Sequence, residues 1–229
     1  AAYGGNELWF PIDNAHIVLA SNNLKPRKFA EANCCFAQYQ DELELIEQIY
    51  AVVRVGYFFR NEIKNDITIN ENLWIKCNNI LFNKVYSWTG KYRNHEVVVA
   101  VGRREHPTSH PDNIKNEINE LFTKTLPAIT KTIKRNNITD KKRLTNALVI
   151  AHKYLAKIHP FEDGNGRTIR LFLKVMAQRW GYELLLEEYL IAKKQKRYYH
   201  FAIGKLVRGC DIHISKIISR SLRHIDEKN

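Results

Sequence analysis

The chain has 229 residues, and its 36 basic and 24 acidic side chains leave a net charge of +12 with the histidines neutral. A hydrophobic fraction of 45% and a charged fraction of 26% are ordinary for a globular chain, which excludes collagen-like, low-complexity and wholly disordered sequences. No run approaches 18 apolar residues, so no membrane span is expected, and Ala1-Ala2-Tyr3-Gly4-Gly5 lacks the basic and apolar regions of a signal peptide.

In chain order, Leu43, Ile46, Ile49, Tyr50 and Val53 recur at steps of three and four and predict a helix over 41–59, which opens on the acidic stretch Asp41 to Glu47. Glu96-Val97-Val98-Val99-Ala100-Val101-Gly102 breaks that period; its β-branched residues predict a short strand, followed by a polar, proline-marked loop from Arg103 to Pro111. Ile114, Ile118, Leu121 and Phe122 predict a helix over 113–126 with Asp112 as its cap. Leu144, Leu148, Ala151, Leu155 and Ile158 form the next stripe, and Ile169, Phe172, Leu173, Met176 and Trp180 another, ended by Gly181. A fifth helix is expected within 196–208 and a sixth over 211–225. The expected fold is mostly α, with a small β element and no flexible linker.

Cys34, Cys35, Cys77 and Cys210 lack metal-ligand spacing and read as thiols of a reducing compartment, so the chain is expected to fold in a cytosol, its own or a host's. Basic charge is concentrated between Lys124 and Arg143, with a net of +6, and between Lys193 and Asn229, with a net of +7. Such a balance favours polyanions in general. Nucleic acid is not the expected partner, because no helix-turn-helix, RNP-type aromatic set or zinc finger accompanies the charge.

Chemistry concentrates in His159-Pro160-Phe161-Glu162-Asp163-Gly164-Asn165-Gly166-Arg167-Thr168-Ile169-Arg170, between two helical stripes. Gly164-Asn165-Gly166 can turn successive N–H groups onto one point as an anion nest, and the helix that begins there adds the positive end of its dipole. Arg167 and Arg170, three apart, share one face of that helix near its first turn and suit the bidentate recognition of a polyphosphate. Asp163 can hold a hard cation such as Mg²⁺ against the same phosphates. His159 is suited to taking a hydroxyl proton near neutrality, and Phe161 is expected to pin the loop into the core. Separately, these features are commonplace: a structural histidine, an Asn-Gly turn, a solvated pair of arginines. At fixed spacing they describe phosphoryl or nucleotidyl transfer, catalysed by positioning and charge neutralisation.

These residues resemble the signature of the Fic (Fido) domain family, H-P-F-x-[D/E]-G-N-G-R-x-x-R, at every specified position. Beyond the motif, Trp88-Thr89-Gly90-Lys91-Tyr92-Arg93 resembles the segment before the family's β-hairpin flap. Val99-Ala100-Val101-Gly102 resembles the flap itself, and Tyr198-Tyr199-His200 resembles the adenine-side tyrosine pair of the branch that includes the animal endoplasmic-reticulum enzyme. The resemblance spans about residues 70 to 215. It implies a Fic-type helical bundle with a short β-hairpin flap: a helical arm over 1–65, a catalytic core over 66–215, and a C-terminal helix or tail over 216–229.

It further implies a protein adenylyltransferase that passes AMP from ATP to a Ser, Thr or Tyr hydroxyl of a target protein, with Mg²⁺. By the resemblance, His159 is the base, Asp163 binds the metal, and Gly164, Asn165, Gly166, Arg167 and Arg170 cradle the phosphates. Thr168 and Ile169 lie in the nucleotide-contacting turn, Val99, Ala100, Val101 and Gly102 cover the nucleotide, and Tyr198 and Tyr199 line the adenine side. Departures from the family concern the base and regulation. Lys205 and Leu206 stand near the place of an adenine-facing Asn. The inhibitory [S/T]-x-x-x-E-[G/N] motif is absent, with Lys25 where its Glu would fall in Ala20-Ser21-Asn22-Asn23-Leu24-Lys25, and Glu31 as a weaker substitute.

The chain is therefore expected to lack self-inhibition or to be restrained by a separate inhibitor protein, and automodification is expected. A cytoplasmic protein is the first reading of location, and a secreted effector acting in a host cytosol the second. Other Fic chemistry (removal of AMP, UMP or phosphocholine transfer, phosphorylation) is the alternative enzyme, and a non-catalytic basic nucleic-acid-binding protein the alternative from another class.

Overall fold

A computed structural model describes residues 34–225 apart from 38, 64, 65, 102 and 103. Residues 1–33, with Lys25 and Glu31 among them, lie outside the described residues, as does Gly102 of the flap.

The first described helix, α1 (Gln40–Tyr57), buries Leu43, Glu47, Ala51 and Val55, a run at steps of four. The expected stripe is thus split: Ile46 is half-buried, while Ile49, Tyr50 and Val53 are exposed, because the helix is turned to bring Glu47 inward. A wide π-type turn, Phe58–Glu62, extends α1 and buries Phe58. Helix α2 (Glu71–Phe82) packs against α1 and begins at Asn70, whose side chain accepts from the Leu73 N–H at 2.9 Å.

The hairpin consists of β1 (Val98–Val101) and β2 (Arg104–Pro107), antiparallel with Val99 opposite His106. The expected Arg103–Pro111 loop is therefore half strand: Arg104 to Pro107 pair with β1 and supply the ladder that it needs. Helix α3 (Pro111–Glu120) starts one residue after His110, whose side chain accepts from the Asp112 N–H at 3.4 Å, so His110 rather than Asp112 is the cap. A second wide turn, Leu121–Thr125, leads into α4 (Leu126–Thr130) and admits Pro127 at the start of the new register.

Two long helices carry the centre. α5 (Lys141–Ile158) and α6 (Asn165–Arg179) pack on one another, with α2 against α6 and α3 and α4 against α5. β3 (Tyr182–Leu184), α7 (Leu186–Leu190), α8 (Lys193–Val207), α9 (Ile212–Ser221) and β4 (Leu222–His224) complete the described chain. The helix expected over 211–225 ends at Ser221, because Leu222–His224 pairs antiparallel with β3. Helices α8 and α9 lie on α5, and α8 also touches β1. At the core Trp74 stacks on Phe161 with ring centroids 5.2 Å apart and meets Phe172 edge-on at 5.7 Å. The mostly α expectation is met, and no helix among the described residues is long and apolar enough to cross a membrane.

Candidate active site

The site forms where α5 stops and α6 starts. His159 caps α5 in the left-handed region, φ 50° and ψ 59°, with its N–H bonded to the Leu155 carbonyl at 3.0 Å. Phe161 then enters the core and is fully buried, as expected of the loop's anchor. The Asn165 side chain grips the backbone of Phe161 twice, accepting from its N–H at 2.9 Å and donating to its carbonyl at 2.8 Å. Asn165 therefore closes the loop with its side chain, and only its backbone is left for an anion. Gly164 precedes α6 at φ 72°, and a Cβ there would sit 2.3 Å from the Phe82 ring. Both the backbone angle and the packing demand glycine.

Thr168 is turned away from the loop's open side. It is fully buried, donates to the Gly164 carbonyl at 3.0 Å and accepts from Asn78 at 3.2 Å. Its hydroxyl thus fastens α6 to α2.

A cavity of about 490 Å³ opens between the loop, the hairpin and α8. His159, Gly166, Ile169 and Arg170 line one side, Val99 and His106 of the hairpin another, and Tyr199, Ile203 and Val207 of α8 a third. Tyr199 is buried, but Tyr198 is not part of the lining. Tyr198 is 40% exposed, stacks on Phe201 and shares a hydrogen bond with His213 Nδ1 at 2.8 Å, because adjacent positions on a helix face different directions. Asp163 and Arg167 sit beside the cavity rather than in its wall.

Charge at the site is organised by residues outside the motif. Arg170 donates through Nε to Glu187 at 2.7 Å and also bonds the Tyr199 hydroxyl. Burial works against its charge, but Glu187 and Tyr199 more than offset that and hold its pKa above the usual value. The Tyr199 hydroxyl lies 2.7 Å from His152 Nε2; since Arg170 can only donate to the phenol oxygen, the phenol proton is directed at the imidazole.

Arg167 pairs with buried Glu47 of α1, faces Asp163 Oδ2 at 3.8 Å, and lies over the Phe82 ring at 4.7 Å. Glu47 also accepts from the Tyr86 hydroxyl at 2.9 Å. Burial and the neighbouring Arg170 lower Arg167 to about 10, which leaves it charged at neutrality. His159 is lowered to about 4 by burial and then by Arg93, against the opposing pull of Asp163, so its imidazole is neutral and able to accept a proton.

For a divalent cation the fit is partial but chemically sound. Among the described residues no three acidic, histidine or cysteine side chains gather as a closed cage. Asp163 offers one carboxylate, 41% exposed, beside the glycine loop. Mg²⁺ commonly takes one or two carboxylates and completes its shell with substrate phosphates and water, so this donor set suits it.

A neutral histidine, a helix N-terminus and a charged arginine around one cavity define a site for an anionic ligand. A model of the Fic/DOC family matches residues 68–177. A probable protein adenylyltransferase, y4lH of Sinorhizobium fredii, is 33% identical over 106 residues, covering 45% of this chain and 50% of that protein. The protein adenylyltransferase Fic of Drosophila virilis is 46% identical over 68 residues, 29% of this chain and 13% of its own length. The chain thus spans half or less of the curated relatives it matches.

Among solved structures, the Bartonella tribocorum effector BepC with bound AMPPNP superposes with a TM-score of 0.69 at 17% identity, over 87% of this chain and 96% of that one. An N-terminal Fic domain of Bartonella quintana with bound ADP also gives 0.69, at 15% identity, over 90% and 98%. They share the fold.

No motif marks Glu47, His152 or Glu187 as a site residue, and Arg93 enters the sequence only as the last residue of the segment before the flap. The signal for Glu47 is its place at a four-residue step between Leu43 and Ala51, which makes a carboxylate part of the buried face.

Proposed function

We propose that this chain is a protein adenylyltransferase. The observation that carries the reading is the cavity itself, which brings His159, Gly166 and Arg170 to one wall and the buried phenol of Tyr199 to another. A target hydroxyl oxygen attacks the α-phosphorus of ATP, the bond to pyrophosphate breaks, and His159 takes the hydroxyl proton. Its neutral imidazole is already in the accepting state. The backbone N–H groups that open α6, together with Arg170 and Arg167, meet the phosphate charge. Asp163 would hold Mg²⁺, which would supply charge neutralisation to the phosphates.

Val99 and its hairpin form one wall of the nucleotide site. The described hairpin has two strands, so an extended target segment can join its unpaired edge and register its hydroxyl. Ile203 and Val207 give the base an apolar slot beside Tyr199. The names of the adenylyltransferase relatives and the nucleotides bound to the structural neighbours support the same reading. Automodification and restraint by a separate inhibitor protein belong to the same proposal, since Lys25 stands where the resembled family's inhibitory Glu would fall. Action in a cytosol, the chain's own or a host's, agrees with neighbours described as translocated effectors.

The test is incubation with Mg²⁺ and ATP labelled at the α-phosphate, beside a batch labelled at γ, for wild type and His159→Ala, with and without cell lysate. Label transferred to protein from the α position alone, and lost in the variant, is the expected result. Transfer from the γ position moves the chain to phosphorylation, and labelling that survives His159→Ala removes the histidine from its role.

A further inference from the structure

We infer that Arg93 is a positioning residue that joins the foot of the hairpin to the loop carrying His159, so that the wall over the nucleotide and the proposed base are placed as one unit. Arg93 is 5% exposed and lies in the segment before β1. Its Nε donates to the His159 carbonyl at 2.8 Å, and Nη2 lies 3.2 Å from the Ile158 carbonyl. The same Nη2 donates to the Ser109 carbonyl at 2.6 Å and to Thr108 Oγ1 at 2.9 Å, while Nη1 reaches the His95 carbonyl. Its backbone N–H donates to the Pro160 carbonyl at 2.8 Å.

Three features make this more than a buried arginine. Ile158 and His159 end α5, where carbonyls have no partner within the helix, and a planar fork can serve several acceptors at once. His159 holds a left-handed backbone without being glycine, a conformation that persists only when its surroundings fix it, and Arg93 bonds the carbonyl of that residue and of the next. Thr108 is shared: its hydroxyl accepts from Arg93 and donates to the Val97 carbonyl, closing the foot of the hairpin on the guanidinium. Carbonyl and hydroxyl oxygens surround the Arg93 charge, with Glu96 and Glu162 acting on it through space. A lysine keeps the charge but loses the fork.

The inference rests on the proposed transfer reaction only for its rate measurement. Arg93→Lys, Thr108→Val, His159→Ala and wild type are compared by amide hydrogen exchange over 95–109, 156–162 and 212–221, by ADP titration, and by α-label transfer at saturating ATP. In Arg93→Lys, exchange is expected to rise in 95–109 and 156–162 together, with 212–221 unchanged. Transfer is expected to fall by roughly tenfold to a hundredfold, the scale of a small misplacement of reacting groups, while ADP affinity falls by no more than about threefold. In Thr108→Val, 156–162 is expected to loosen although residue 108 itself makes no bond there.

Exchange confined to the hairpin in Thr108→Val, or ADP affinity falling in step with the rate in Arg93→Lys, overturns the inference. If Arg93→Lys does not fold, Thr108→Val decides alone. If wild type transfers no AMP, the exchange measurements still decide, and the failure belongs to the proposed reaction.

Discussion

Glu47 places a negative charge where the proposed substrate would bring its own. It is 6% exposed, holds Arg167 and is held by Tyr86, so the carboxylate competes with a phosphate for the same guanidinium. Glu47→Gln keeps an acceptor for Tyr86 and removes the competing charge. ADP affinity is expected to rise severalfold, and stability to fall by roughly 1–3 kcal/mol as the pair loses its ionic part. Calorimetric titration and urea unfolding check the two effects, and an unchanged affinity would mean that Arg167 does not meet the phosphates. Gly164 tests packing at the same scale. Gly164→Ala adds a left-handed penalty of about 1–2 kcal/mol to an overpacking cost of about 1–3 kcal/mol against Phe82. Trimming the ring in Gly164→Ala, Phe82→Leu is expected to recover the packing part alone, so a double-mutant cycle in urea separates the terms.

Among the elements, what was legible depended on how local the cause was. α5 and α6 announce themselves because their buried residues keep the helical period over more than three turns. The loop between them is legible because the residues that shape it are contiguous: Asn165 bonds Phe161, and Gly164 fits only as glycine. β2 was missed because Arg104-Glu105-His106-Pro107 has no β-branched residue, and its strand form comes from pairing with β1. The end of α9 was missed for the same kind of reason. Leu222 continues an apolar period, yet the chain is drawn into β4 by β3, with His224 edge-on to Tyr182 at 5.0 Å.

The partners of the motif arginines were illegible because Glu47 and Glu187 reach the site only through tertiary packing of α1 and α7. The loop gives the prediction at this scale. Asn165→Ala strands the buried N–H and carbonyl of Phe161, which is expected to cost roughly 2–4 kcal/mol by urea unfolding. Asn165→Asp keeps the acceptor for the N–H and is expected to lose less. Equal losses would show that the donated bond to the carbonyl is the one that matters.

Across the whole molecule, acid is expected to act most strongly through two histidines, with His200 lowered in the same direction by burial and then by Lys196 and Arg170. His152 and His159 are both lowered to about 4, in each case first by burial, with Arg170 adding to the effect at His152 and Arg93 at His159. In the unfolded chain each titrates near 6.5, so between about 6.5 and 4 the unfolded state binds more protons than the folded one. Stability is therefore intact above about pH 6.5 and falls as the pH drops through that window, by roughly 2 kcal/mol per histidine at pH 5. The net charge of +12 adds self-repulsion as carboxylates protonate, a background common to wild type and variants.

His159→Ala removes one of the two strongly lowered proton acceptors and is expected to flatten the histidine part of the slope by nearly half in thermal melts between pH 7 and 5. A variant slope as steep as wild type would place the uptake elsewhere. The same lowered value sets the rate profile of the proposed reaction. Because the base is neutral well below physiological pH, transfer by wild type is expected to stay level from pH 8 to 6. A rate that halves near pH 6.5 would mean that the negative charge of the bound phosphates offsets the burial of His159 in the working enzyme.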